Sequence, residues 1–101
     1  MIKVFQIADQ TSMFPASSFM YGLTNVFDPI ANLDKYTHVA DLDVNDLDEA
    51  YRVGNIGPEE LYTRYESMHS VSVGDILETE DGEKWIVGPM GFDRLASLEA
   101  A

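Results

Sequence analysis

The chain contains no cysteine, only two histidines, and only six basic residues against eighteen acids. The missing thiols exclude disulfide staples, thiolate catalysis and the usual cysteine-bearing zinc sites, and they fit a reducing compartment. The shortage of bases disfavours direct binding of DNA or RNA, because a net charge of −12 repels a phosphate backbone. No apolar run approaches the roughly 20 residues of a membrane-spanning helix. The opening Met1–Ile7 alternates like a strand and lacks the long apolar core of a signal peptide, so the expected location is cytoplasmic. No phosphate-cradling loop exists, since Gly54, Gly57, Gly88 and Gly91 match neither glycine-rich fingerprint. No cofactor and no metal are expected.

Apolar content is sufficient for a core. Hydrophobic residues make up 46% of the 101 positions and aromatics 11%, which suits one domain, expected over 1–95 with a tail at 96–101. Ile2 and Val4, with Gln6, share one face of a first strand, and Lys3, Phe5 and Ile7 share the other. Apolar groups on both faces suggest a central strand. Phe19, Met20, Leu23, Val26 and Phe27 form a helical stripe after Pro15, ending at Asp28-Pro29. A second strand is expected at 35–42, with Tyr36, His38, Ala40 and Leu42 on one face and Thr37, Val39 and Asp41 on the other.

Two short helices should follow. The first is expected at 45–53, with Asn45 as N-cap, Asp46, Asp48 and Glu49 at the positive end of the helix dipole, and Gly54 as its stop. The second is expected at 58–66, started by Pro58 and burying Leu61, Tyr62 and Tyr65. Asp81-Gly82 then marks a two-residue hairpin turn within 74–88, in a register that sets Leu77 against Ile86 and Glu80 against Glu83. These elements make an α+β fold: a small antiparallel or mixed sheet of about four strands, two or three short helices and a C-terminal hairpin.

The candidate sites are modest. Asp41, Asp43 and Asn45 match the first ligand positions of a calcium-binding loop, but Asp46 stands where glycine is needed and Arg52 where a bidentate glutamate is needed. His69, Ser70, Ser72 and Asp75 invite a Ser-His-Asp reading, yet no strained nucleophile turn accompanies them. The carboxylate pairs Glu59/Glu60 and Glu78/Glu80 read as solvated faces. No catalytic residue is assigned, and the chain is not expected to be an enzyme.

The stretch His69-Ser70-Val71-Ser72-Val73-Gly74-Asp75 resembles the signature of the YodL-like domain, a small module of phages and other mobile elements. Gly91-Phe92 matches that family's second conserved segment. Ser18-Phe19-Met20, Asp34–Asp41 and Asp46–Tyr51 resemble its upstream elements in the right order. The chain departs from the pattern at Val71, where the family has leucine, and at Gly74, where it has serine. It also lacks the Asp-Ser that precedes the family's Gly-Phe. By turn chemistry, His69, Ser70, Ser72 and Asp75 hold one corner of a sheet, with Asp75 accepting backbone N–H groups.

The resemblance implies an accessory protein acting in the cytoplasm of a host cell. The acidic surface suggests a basic host or phage protein as partner, met through Asp41, Asp43, Asp46, Asp48 and Glu49, in the manner of a DNA mimic. The alternative is a nucleic-acid or modified-base reading module on a small, partly open sheet.

Overall fold

The computed structural model describes residues 1–7, 21–22 and 28–96. The helix expected after Pro15, the Ser18-Phe19-Met20 segment and the tail beyond Ala96 lie outside these residues. The described chain is mostly β. Six strands form one antiparallel sheet: β1 (Ile2–Ile7), β2 (Tyr36–Leu42), β3 (Tyr62–Arg64), β4 (Ile76–Glu78), β5 (Lys84–Gly88) and β6 (Gly91–Arg94), in the order β3-β2-β1-β4-β5-β6. One α-helix, α1 (Leu47–Ile56), joins β2 to β3. The expected α+β fold with four strands and two or three helices is therefore corrected to a six-stranded sheet with, among the described residues, a single α-helix and two 3-10 turns, Ile30–Lys35 and Glu59–Leu61.

Strand pairing explains the missing helix at 58–66. Pro58 is extended and only Glu59–Leu61 turn; Tyr62-Thr63-Arg64 then pairs with Leu42-Asp41-Ala40. Aromatic and β-branched residues fit a pleated surface. The Tyr62 hydroxyl secures the pairing by donating to the Val53 carbonyl at 2.5 Å. The strand β6 was not expected, because Gly91-Phe92-Asp93-Arg94 carries little strand propensity; it forms by pairing with β5 across the Pro89-Met90 turn.

The hairpin register also differs by one residue. Ile76 faces Ile86 and Glu78 faces Lys84, while the Thr79 amide donates to the Glu83 carbonyl. That bond leaves residues 80–82 as a three-residue loop rather than the expected two, with Gly82 at a positive φ of 87°. The shift replaces the expected Glu80–Glu83 repulsion with salt bridges. Lys84 meets Glu78 at 3.1 Å, Arg94 meets Glu83 at 3.2 Å, and the N-terminal amine meets Glu80 at 2.9 Å.

The sheet is apolar on both sides. On the inner side Ile2, Val4, Ala40, Leu42, Leu77 and Val87 pack with Ala50 and Val53 of α1 and with Val71. On the outer side Ile7, Ile76, Ile86 and Leu95 pack with Phe5, Tyr21, Ile30 and Tyr36. The position of β1 between β2 and β4 accounts for its two apolar faces.

The cap of α1 is Asp46, not Asn45: its side chain accepts from the Glu49 amide at 2.8 Å. The helix does not stop at Gly54. It runs on to Ile56, and Gly57 caps it. Gly54 serves instead as a contact point, because a Cβ there would lie 2.2 Å from Val71 Cγ2 and 2.9 Å from its Cβ.

Two effects oppose each other in Gly54→Ala. Helix propensity would gain about 1 kcal/mol, whereas overpacking a tight core costs about 1–3 kcal/mol. The clash with Val71 is far inside van der Waals contact, so the cost wins. Urea denaturation should show Gly54→Ala to be destabilised, and adding Val71→Ala should lessen the penalty of the alanine at 54. An alanine at 54 that stabilises the protein would refute this packing.

Candidate functional site

Two polar clusters are built into the sheet, one on each side. The inner cluster starts from Gln6, which is 1% exposed within a row of apolar neighbours. A buried carboxamide must find partners or lose a few kcal/mol. Its oxygen accepts from the His69 amide at 3.2 Å, and its nitrogen donates to the His69 carbonyl at 2.9 Å. The side chain thus pairs with a peptide unit much as a neighbouring strand would. The same nitrogen donates to Asp75 Oδ2 at 3.0 Å.

Asp75, also 1% exposed, accepts the Ser72 amide at 2.9 Å on that same oxygen. His69 Nδ1 lies 3.9 Å from it and 2.7 Å from the Ser70 carbonyl. The Ser72 hydroxyl donates to the Ser70 carbonyl at 2.8 Å. His69, Ser70, Ser72 and Asp75 are therefore brought together around one turn, and Tyr36 closes it by donating from its hydroxyl to the Gly74 carbonyl. Val71 is buried against Gly54. Gly91 and Phe92 stand elsewhere, on β6, where Phe92 packs against the inner core. A cavity of about 410 Å³ beside the cluster is lined by Gln6, Ile7, Val39, Glu66, Ser67, Met68 and His69.

The outer cluster depends on a β-bulge. Val4 faces Ala40 but Phe5 faces His38, so Val39 is an extra residue in β2. Its carbonyl accepts from the amides of Tyr65 and Glu66 at 2.8 and 3.2 Å. The bulge breaks the expected alternation: Ala40 and Leu42 turn inward, while Tyr36 and His38 turn outward and share a side with Asp41. His38 Nε2 then sits 2.8 Å from Asp41 Oδ1, and the Tyr65 hydroxyl donates to Asp41 Oδ2 at 2.6 Å. His38 also stacks on Phe5, with ring centroids 5.1 Å apart.

Burial works against the charged form of Asp41, but the hydrogen bonds from Tyr65 and His38 outweigh it and hold the carboxyl below its ordinary range. Asp41 is only 9% exposed. It is thereby separated from Asp43, Asp46 and Asp48, which are exposed around the start of α1. Glu49 accepts from the Asn45 amide at 3.4 Å, and Asp46 is occupied as the helix cap. The calcium-like pattern consequently loses its first ligand to the outer cluster.

The sequence marks neither Gln6 nor Tyr36 as a site residue, and it offers Tyr65 only as a buried position of the expected 58–66 helix or as a candidate base-stacking aromatic, not as a partner of Asp41. Gln6 had a visible signal, since a polar side chain in the register of Ile2 and Val4 must be satisfied. Tyr65 had none, because its position depends on the bulge carbonyl. No protein-family model matches the chain, and neither a curated protein nor a solved structure does.

Burial pushes the Asp75 carboxyl up to about 7, against the opposing pull of His69, the Ser72 amide and Gln6. A carboxyl with a raised folded pKa stabilises most below its unfolded pKa, and that contribution is lost as pH rises through the folded value. Asp75→Asn keeps the acceptor and removes the titration. The stability advantage of wild type over Asp75→Asn should shrink or reverse between pH about 4 and about 8, by denaturation at each pH. A constant difference would refute the shift. Gln6→Leu should cost about 1–3 kcal/mol, since it strips the His69 peptide and Asp75 of a buried partner.

Proposed function

We propose that this chain is an accessory protein of a phage or mobile element that acts without catalysis, by binding a basic host or phage protein in the manner of a DNA mimic. One observation carries the reading: Asp43, Asp46 and Asp48 form an exposed group of carboxylates that no base of the described chain pairs with. The chain's bases are largely committed elsewhere. Lys3 and Lys84 both meet Glu78, Arg64 meets Glu59, and Arg94 meets Glu83. The Asp43 amide donates to the Leu61 carbonyl at 2.8 Å, which ties the start of this group to the 59–61 turn.

The fixed spacing of these carboxylates on a capped helix and a neighbouring turn supports recognition of a basic surface, and the net charge of −12 supports fast, steered encounter. The resemblance of the 69–75 stretch to the YodL-like module supports the mobile-element setting. The burial of Asp41 removes it from the surface proposed to meet a partner.

Immobilised protein should retain a basic partner from host lysate at about 50 mM salt and release it by about 0.5 M, as screening shortens the Debye length. The triple variant Asp43→Asn, Asp46→Asn, Asp48→Asn should bind the purified partner at least about tenfold more weakly, while asparagine at 46 preserves the helix cap. Retention of the partner at 0.5 M salt, or indifference to the triple variant, would reject the electrostatic reading.

A further inference from the structure

Beside the carboxylate group lies a cleft of a different character. It is about 250 Å³ and is lined by Asp48, Tyr51, Val87, Gly88, Pro89, Gly91 and Phe92. Helical spacing sets Asp48 and Tyr51 on the same side of α1, one turn apart. The Tyr51 ring meets Phe92 edge-on, with centroids 6.4 Å apart and planes at 74°. Val87 is buried, and Tyr51 is 41% exposed. The wall at the β5–β6 turn is formed by the backbone of Gly88 and Gly91; a Cβ on Gly88 would meet Tyr21 and Asp93, at 3.5 and 3.6 Å, and nothing lies within 4 Å of where a Cβ of Gly91 would be.

We infer that this cleft receives one arginine side chain of the basic partner, its guanidinium on Asp48 and its flat face against Tyr51. The inference rests on the proposed function and specifies the partner chemistry at one point of the surface. Size favours a single long side chain, since pockets for drug-sized ligands run from about 300 to 1,000 Å³. Charge excludes an anion, because the only ionisable lining group besides the tyrosine is the Asp48 carboxylate. An uncharged apolar group would desolvate Asp48 without compensating it.

A cation that also presents a planar face satisfies both the acid and the rings. Arginine does this, whereas lysine offers a compact, strongly hydrated charge. The protein uses the same pairing within itself, where the Arg64 guanidinium lies 4.4 Å from the Tyr62 ring centroid. Arg52, one turn beyond Asp48, forms no ion pair among the described residues and leaves that carboxylate open to an incoming cation.

The test uses two fluorescent peptides of equal length and charge, one bearing arginines and one lysines, titrated into the full chain at about 50 mM salt. The arginine peptide should bind wild type at least about threefold tighter than the lysine peptide. Tyr51→Leu should abolish that preference and leave lysine binding within about twofold, because leucine keeps the helix and removes only the ring face. Asp43→Asn, outside the cleft, should weaken both peptides equally. In amide-resolved NMR, the arginine peptide should shift Asp48, Tyr51, Gly88 and Gly91 most.

Equal binding of the two peptides, or an arginine preference that survives Tyr51→Leu, would overturn the cleft while leaving the acidic-surface reading in place. Failure of both peptides to bind would overturn both.

Discussion

The inner architecture depends on the satisfaction of one buried amide. Gln6 sits in the central strand, where an unpaired polar group would be expensive, and it is paired by drawing in the His69 peptide and Asp75. That pairing fixes the course of the chain between β3 at one edge and β4 on the far side of β1. With the segment held, Val71 drops onto Gly54, so α1 and the sheet close around a single apolar interior. The polar cluster and the helix packing are therefore two ends of one constraint: disturbing Gln6 should loosen the helix, and enlarging Gly54 should strain the turn.

The outer side is organised differently. No buried amide acts there; one additional residue in β2 re-aims its neighbours, and the resulting His38–Asp41–Tyr65 cluster is held by short hydrogen bonds and ring stacking. The bulge thereby sorts the acids of residues 41–49 into two populations. Asp41 becomes internal and stabilising, while Asp43, Asp46 and Asp48 remain exposed, and only the exposed set bears on recognition.

Much of the central strand was legible in the sequence. The faces of β1, its central position and the acid-rich start of α1 follow from alternation and capping chemistry. The limits were equally physical. The segment 58–66 has helix-start residues, but edge pairing to β2 outweighs local preference. Alternation in β2 assumes a constant period, which Val39 breaks for reasons that lie in its partner strand and in the Tyr65 and Glu66 amides. The Asp81-Gly82 pair marked the hairpin correctly but not its loop length, and one residue of loop decides which charges face each other. In the site, His69, Ser70, Ser72 and Asp75 stood out as a group, whereas Gln6, which ties two of them together, lies far away in sequence.

The strand order has a temporal side. The central strand of the sheet comes first in the chain, yet its partners are β2 and the much later β4. During synthesis β1 leaves the ribosome long before residues 76–78 exist, and its Ile2, Val4 and Ile7 stay uncovered on at least one side in that interval. The β4-β5-β6 meander, by contrast, closes through short loops and low loop-closure entropy. Its assembly offers a free edge for β1, so a later stretch of the chain completes the pairing of an earlier one.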